Sequence, residues 1–321
     1  MAYYIGVDVG GTNIACGVVN ENCEIISRSK VKTNEHGSGA PAPYMNVLEE
    51  IKNAIRIACE DAGIAPSAVH SIGIGCPGTC NQASGMVEYS NNLGFVNVPL
   101  KKDVEDEFGI PVYLENDANA AAFGEFVAGA AKGANSAVVI TLGTGVGSGI
   151  VIDGKLYRGA NCAGGEIGHT VIVVDGLPCT CGRRGCFEAY SSATGLVRMT
   201  AAASERNPDS LMTRMIREDG KVSARTAYKA MKRGDPTGKA VTEQYIKYLS
   251  CGIANVINTF QPDILCIGGG VCNEGDTLLI PLKEAVAQQV YSKNSAKNTD
   301  IVICSLGNDA GIIGAAMLFK S

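Results

Sequence analysis

Three cysteines and one histidine carry the most specific chemical signal in the sequence. Cys179, Cys181 and Cys186 stand close together in the segment CTCGRRGC, and His169 precedes them. Three thiolates and one imidazole match a tetrahedral zinc site, and the two glycines of the segment allow the tight loop that it needs. The alternative is chance clustering in a chain with 13 cysteines. Because protein ligands would fill all four positions, the predicted zinc is structural and not a hydrolytic Lewis acid.

Two glycine-rich turns could bind phosphate groups through their backbone amides. The residues are Asp8, Gly10, Gly11, Thr12 and Asn13 in the first turn, and Gly143, Thr144, Gly145 and Gly147 in the second. Alone, the first turn is equally consistent with a tight hairpin whose polar side chains bind turn amides. Its recurrence favours phosphate binding, because two such turns could hold the two ends of one triphosphate.

A third glycine run, Gly268, Gly269 and Gly270, follows a short apolar segment. The run is consistent with a simple turn from a strand into a helix. The absence of side chains would also let a flat purine approach the backbone. It is therefore a candidate for binding the base of a nucleotide.

The segment ENDANAAA closes a short strand and opens a helix, which places Asn116 and Asp117 at the helix start. Residues of these types commonly cap a first turn, and that role alone would account for them. From the residues alone, this capping role is the favoured interpretation of the segment.

A pattern of strand, glycine turn and strand occurs twice, and it contains the two glycine-rich turns. It predicts strands over residues 3–9, 14–19 and 23–29, and again over residues 137–142, 146–152 and 155–158. The repetition implies two similar halves.

Helices and short apolar strands alternate through the rest of the chain. Apolar spacing predicts helices over residues 44–62, 118–130, 191–204, 237–259 and 277–291, and strands over residues 71–75, 112–114, 264–267 and 301–304. The most polar stretch, residues 204–237, is expected to form short exposed helices and loops. The fold class is α/β, and the absence of a Pro- or Gly/Ser-rich linker favours two lobes closing on a shared cleft.

Composition and charge exclude several classes of protein. The chain has 321 residues, of which 46% are hydrophobic and 18% are charged. These values are typical of compact α/β domains and exclude disorder as the main state. The net charge of −5 argues against binding to nucleic acid and gives no support to a membrane-surface role. The first residues show neither a signal peptide nor a spanning segment, so a cytoplasmic protein is expected.

Together, these motifs resemble the ROK family of sugar kinases within the actin-like ATPase fold, and in particular its bacterial glucokinases. The two glycine turns match the family's phosphate motifs, residues 268–270 match its adenosine motif, and CTCGRRGC matches its zinc motif. The resemblance covers nearly the whole chain and implies a two-lobed, ribonuclease H-like fold with duplicated β-sheet lobes around a cleft. The smaller lobe is expected at residues 1–115 plus 306–321, and the larger lobe, with the zinc loop, at residues 116–305.

The resemblance also implies roles for individual residues. Asp117 matches the family's catalytic base. The positions that match sugar-binding residues are Asn92, Asn116, Asp117, Glu166, His169 and Glu188. His169 would combine this role with its place in the zinc site. Phe95 replaces the tryptophan that many relatives carry after the Asn-Leu-Gly run, and little change is expected because it is also an apolar aromatic residue.

The activity implied by the resemblance is phosphorylation of glucose at its sixth hydroxyl by ATP, with magnesium oriented through water by Asp8. A glycolytic role and a homodimer or homotetramer are expected with it. The alternatives are a kinase for N-acetylglucosamine, N-acetylmannosamine, mannose or fructose, a sugar-sensing repressor without enzymatic activity, and an actin-like ATPase without a sugar. The phosphate motif begins at Asp8, which leaves no residues for a DNA-reading domain before it and argues against the repressor.

Overall fold

Contacts within the chain divide it into two compact units. The computed structural model describes residues 2–33 and 42–321. The first unit consists of Met1–Val139, Gly149–Gly165 and Cys304–Ser321, and the second consists of Ile140–Ser148 and Glu166–Ile303.

This division differs from the expected lobes at one main point, because residues 116–139 and 149–165 pack with the first unit. One physical cause is Glu125, whose buried carboxylate accepts hydrogen bonds from the backbone N–H groups of Ser305 and Leu306. A buried carboxylate needs such partners, so it ties its helix to the C-terminal segment.

Strands and helices alternate along the chain, as the apolar pattern predicts. The strands are β1 (Tyr3–Val9), β2 (Asn13–Asn20), β3 (Ile25–Lys32), β4 (Val69–Cys76), β5 (Thr79–Asn81), β6 (Met86–Ser90), β7 (Phe95–Val98), β8 (Val112–Asn116), β9 (Ala137–Leu142), β10 (Val146–Ile152), β11 (Lys155–Leu156), β12 (Ile264–Gly268) and β13 (Asp300–Ile303). The α-helices are α1 (Tyr44–Asp61), α2 (Leu100–Phe108), α3 (Asp117–Val127), α4 (Phe187–Ser191), α5 (Ala193–Arg206), α6 (Leu211–Asp219), α7 (Thr226–Lys232), α8 (Pro236–Phe260), α9 (Asp276–Ala287) and α10 (Asp309–Ala316). Within residues 2–33 and 42–321, no helix has both the length and the apolar character required to cross a lipid bilayer.

Two five-stranded sheets repeat one strand order. In the first, the order is β3-β2-β1-β4-β8, where β1, β2 and β3 are antiparallel neighbours and β1, β4 and β8 are parallel neighbours. In the second, the order is β11-β10-β9-β12-β13, where β10 and β11 are antiparallel and β12 and β13 are parallel. The predicted duplication and the α/β class are confirmed.

Helix α1 covers one face of the first sheet. Its buried residues recur at three- and four-residue spacing between Val47 and Cys59. Ser27 and Ser29 of β3 face this helix, and each hydroxyl donates a 2.6 Å hydrogen bond to a backbone carbonyl on it. Because side chains alternate along a strand, Arg28 and Lys30 lie on the other face.

Helix α10 packs against β4 and α3 with almost no space between the backbones. A Cβ at Gly73 of β4 would lie 1.7 Å from the Ala315 carbonyl oxygen, and a Cβ at Gly314 would lie 1.7 Å from the Ala120 carbonyl oxygen. Only glycine allows this approach. The packing brings the first turn of α10 next to the end of β1, where Asp8 lies.

Three regions differ from the sequence expectation. Helix α2 lies outside the predicted helices. Strands β5, β6 and β7 form a small antiparallel sheet that the apolar pattern does not predict, because each strand has only three to five residues. Residues 204–237 do contain short helices, but one face of α7 is buried. Ala227, Tyr228 and Ala230 are fully buried, since α7 packs against the long helix α8.

Candidate functional site

The first glycine turn joins β1 to β2 in the first unit. The backbone N–H of Gly10 donates to the Asn13 carbonyl at 2.9 Å, and the Thr33 hydroxyl donates to the Gly10 carbonyl at 2.6 Å. Gly11 and Thr12 are exposed. The turn is therefore fixed from the inside by Thr33, while its outer side is open to a ligand.

A pocket of about 670 Å³ opens beside this turn. Its lining includes Asp8, Gly10 and Asn13, which the sequence analysis selects, and Arg28 and Lys30, which it misses. No sequence signal distinguishes these two cations, because charged residues at alternate positions are common on any half-exposed strand. Arg28 and Lys30 pair in register with Gly17 and Ala15 of β2.

Asp8 is the most perturbed carboxylate of this pocket. Burial raises the pKa of Asp8 from 3.8 to about 6, and the nearby charge of Asp117 adds to the increase. The two carboxylates therefore lie close enough to repel each other. A cation bound beside Asp8 would offset both effects.

Replacing Asp8 by asparagine is expected to stabilise the protein at pH 8 by up to about 3 kcal/mol. The folded protein binds the Asp8 proton more tightly than the unfolded chain, because its pKa is about 6 when folded and 3.8 in the reference state. The stability that this tighter proton binding gives the folded protein is complete below pH 3.8 and is lost as the pH rises through 6. The stability gained by Asp8→Asn should therefore be small at pH 4.

Chemical unfolding of both proteins at pH 4 and pH 8, without magnesium or nucleotide, measures this difference. The control is Asp209→Asn at an exposed position. Equal stability of Asp8→Asn and the wild type at pH 8 would contradict the expected burial cost.

Asn116 and Asp117 lie where β8 ends and α3 begins. Asn116 caps the helix, because its Oδ1 atom accepts hydrogen bonds from the backbone N–H groups of Ala118 at 2.9 Å and Asn119 at 3.1 Å. Its Nδ2 atom donates to the Gly78 carbonyl at 3.1 Å. Asp117 occupies the first helical turn, where the helix dipole favours a negative charge.

Asn92 is exposed in the turn between β6 and β7. Leu93 and Phe95, which follow it, are buried and anchor the turn. The Phe95 ring packs edge-on against Tyr44, with the ring centroids 5.3 Å apart. Phe95, for which the family resemblance suggested a tryptophan in many relatives, therefore still places an aromatic ring against Tyr44.

The predicted metal ligands come together in the second unit. His169, Cys179, Cys181 and Cys186 each offer one ligand atom, and these four atoms lie within 4.8 Å of one another. The Sγ atoms of Cys181 and Cys186 are 3.7 Å apart, and Cys179 Sγ is 3.6 Å from His169 Nδ1. Tetrahedral zinc, with bonds of about 2.3 Å to sulfur and about 2.0 Å to nitrogen, requires separations of about 3.8 Å and about 3.6 Å. The donor atoms and their spacing therefore fit zinc.

The thiols of this cluster differ in their acidity. A hydrogen bond with the Arg183 backbone holds the pKa of Cys181 below its ordinary value. Burial raises the pKa of Cys186 to about 12, and its sulfur neighbours add to the increase. Since the thiolate is the form that binds a metal, a cation is needed to keep Cys186 ionised.

Glu188, in the first turn of α4, contacts both the metal cluster and the second glycine turn. One carboxylate oxygen accepts the Val146 backbone N–H at 3.0 Å, and the other accepts the Thr180 hydroxyl at 3.2 Å. The Cys179 thiol is 3.6 Å from the second oxygen. Glu188 is thus held by the loop around the cluster and is not a freely solvated side chain.

Glu166 and His169 flank a short 3-10 turn at the start of the second unit's long loop. Glu166 is exposed, and its carbonyl accepts the His169 backbone N–H at 3.1 Å. Nδ1 of His169 is directed at the Cys179 sulfur. The structure brings His169 and Glu188 together around Cys179.

The remaining glycine segments also lie in the second unit. In the turn from β9 to β10, the Gly143 and Thr144 carbonyls accept hydrogen bonds from the Ala193 backbone and the Thr194 hydroxyl, two residues that the sequence analysis misses. Gly268 ends β12, and Gly269 adopts a left-handed φ of 93° before a single 3-10 turn. The turn from a strand into a helix is therefore present. A Cβ at Gly269 would lie 2.4 Å from the Leu142 carbonyl oxygen, whereas one at Gly270 would meet nothing within 4 Å.

A family profile described as "ROK family" matches residues 4–321. The chain belongs to the ROK family. It is 37% identical to a glucokinase of Halalkalibacterium halodurans over 319 residues, which cover 99% of this chain and 95% of that protein. It is also 32% identical to a putative xylose repressor of a Caldicellulosiruptor species, over 89% of this chain and 70% of the repressor.

Among solved structures, the chain is similar to a ROK family glucokinase from Streptomyces griseus in complex with glucose and AMPPNP. The TM-score is 0.80 and the identity is 34%, with 99% of each chain covered. The fold is the α/β, actin-like ATPase (ribonuclease H-like) fold with two lobes, as expected from the sequence.

Proposed function

We propose that this ROK protein is an ATP-dependent sugar kinase that transfers the terminal phosphoryl group of ATP to the sixth hydroxyl of glucose. The observation that carries the proposal is the placement of Asp117 in the first turn of α3, close to Asp8 and the open glycine turn. This placement supports a role for Asp117 as a hydroxyl-activating base beside a site for phosphate groups. The similarity to glucokinases of two other bacteria supports the same reaction.

In the proposed mechanism, Asp117 accepts the proton of the sugar hydroxyl as that oxygen attacks the phosphorus atom in line with the leaving group. Backbone amides of residues 10–13 and residues 143–147 bind the phosphate oxygens, and residues 268–270 contact the adenosine. Phosphoryl transfer of this kind depends on positioning and on charge stabilisation more than on covalent chemistry.

Asp8 is the residue that would orient magnesium through a water molecule. The donor chemistry fits, because magnesium prefers oxygen ligands and retains several waters, and the buried carboxylate gains from a neighbouring cation. When bound, the ion supplies positive charge to the phosphate oxygens.

We further propose that six polar side chains bind the sugar hydroxyls. The residues are Asn92, Asn116, Asp117, Glu166, His169 and Glu188. Because the cap occupies Oδ1 of Asn116, its contribution would be the second hydrogen of its Nδ2 group. A site whose polar groups bind hydroxyls discriminates by a factor of about 10⁴ or more against a sugar that leaves those groups unpaired.

The cysteine cluster is proposed to hold one structural zinc ion. Its four ligands leave no open position for a substrate. The ion would order the loop that carries His169 and Glu188, so the zinc acts on the sugar site through the loop.

The proposal is tested by measuring ADP release with magnesium-ATP and glucose, mannose, fructose, N-acetylglucosamine or N-acetylmannosamine, with a control that lacks sugar. Strong release with glucose alone is the expected result. Preference for another hexose would replace the substrate and keep the reaction.

A second candidate is a sugar sensor without kinase activity, which the similarity to a putative xylose repressor favours. Sugar binding detected by calorimetry, with no ADP release for any sugar, would support this alternative over the kinase.

A further inference from the structure

A buried ion pair lies directly behind the proposed catalytic segment. Arg158, which follows β11, donates from Nε to a carboxylate oxygen of Glu115, the residue before Asn116. The Glu115 side chain is 2% exposed and that of Arg158 is 23% exposed. A carboxylate this deeply buried is retained only where charge and hydrogen bonds compensate for its lost hydration.

The second carboxylate oxygen of Glu115 binds the start of α3 at two points. It accepts the backbone N–H of Asn116 at 3.0 Å and the Nδ2 group of Asn119 at 3.0 Å. Asn119 is itself buried. Asp117 lies between these two anchored residues, so a rotation of Glu115 would turn the first helical turn and move the Asp117 carboxylate.

The Arg158 guanidinium is fixed by further contacts. Its Nη2 atom donates to Ser321 Oγ at 2.6 Å and to Gln82 Oε1 at 3.4 Å. The planar fork therefore binds three different segments of the first unit at once. A lysine, with a single ammonium group, cannot reproduce this arrangement.

We propose that Arg158 and Glu115 are positioning residues that hold Asp117 in line with the attacking hydroxyl. This inference rests on the proposed kinase function. Neither side chain touches the reacting atoms. Their effect is to fix the direction of the helix start, and a displacement of about 1 Å at such a site can lower the rate by about 10²-fold.

The test compares Arg158→Lys and Glu115→Gln with the wild type. Glu115→Gln keeps the size of the side chain and Arg158→Lys keeps its positive charge and most of its length, so the variants are expected to fold. Turnover should fall by about 10- to 100-fold, while the KM values for glucose and ATP change by less than about threefold. The double variant should be no slower than the slower single variant, because both changes disrupt one unit.

Arg56→Lys is the matched control, since Arg56 forms an ion pair with Glu107 in the same unit, away from α3. It should leave kcat unchanged. Backbone hydrogen exchange supplies a readout that does not depend on activity. In both test variants, exchange should increase at residues 116–119 and stay at the wild-type level elsewhere in the first unit.

The proposal would be overturned if both test variants had the same kcat per folded molecule as the wild type and unchanged hydrogen exchange at residues 116–119. A general increase in exchange with normal kcat would show a purely structural pair and would overturn it equally. Wild-type protein that releases no ADP with any sugar would instead refute the kinase function, and the exchange measurement would still decide whether the pair holds the helix start.

Discussion

Asp117→Asn should lower turnover with glucose by about 10²- to 10⁴-fold, the range that a general base contributes. Asparagine keeps the size and hydrogen-bonding shape of the side chain, so the first turn of α3 and its cap at Asn116 should persist. The amide cannot accept the hydroxyl proton. The loss should therefore appear in kcat, with little change in glucose affinity.

Steady-state kinetics and calorimetric titration with glucose measure the two quantities separately. The matched control is Asp276→Asn, which makes the same change in the first turn of another helix, α9. Turnover near the wild-type value in Asp117→Asn would show that Asp117 is not the base. Loss of glucose binding with no measurable kcat would assign Asp117 to substrate binding alone and not to proton transfer.

Cys181→Ser should remove the metal and destabilise the second unit. Purified wild-type protein is expected to contain about one zinc ion per chain, and the variant should contain almost none. Cys181 is exposed, so its replacement alone removes little packing. Structural zinc sites contribute about 10–16 kcal/mol of apparent binding free energy in small peptides, so we expect a loss of several kcal/mol here.

Elemental analysis and thermal unfolding, with and without a chelator, test this expectation. Cys251→Ser, a partly exposed cysteine of α8 in the same unit, is the control and should keep the zinc. A wild-type protein that is free of zinc yet stable and active would contradict a structural metal. So would a Cys181→Ser variant that unfolds at the wild-type temperature in both the presence and the absence of chelator.

Both predictions start from residues that are close together in the chain. The ligands Cys179, Cys181 and Cys186 share one short loop, and Asn116 and Asp117 share one helix start. At such short range, turn and helix geometry alone limit where the side chains can lie. The sequence is sufficient for predictions of this kind, and the assembled cluster agrees with it.

Residues that meet across long stretches of chain could not be predicted in this way. Arg158 and Glu115 have no sequence pattern that pairs them. Arg28 and Lys30 on β3 are indistinguishable, by sequence, from charges on any solvated strand. Their partners are chosen by the strand order and by the packing of α10, which are properties of the whole first unit.

Burial likewise depends on neighbours that are distant in sequence. The pKa of Asp8 rises because tertiary packing removes water and brings Asp117 close, and nothing in the turn DVGGTN indicates this change. Helix α7 lies in the most polar stretch of the chain, and one of its faces is nevertheless buried by α8. The sequence by itself determined most of the α/β elements, their duplication, the glycine turns and the candidate metal cluster, because short-range geometry specifies each of them. Only the tertiary structure decided which charges are buried, which are paired and how Asp117 is held, because those depend on contacts that the local sequence does not encode.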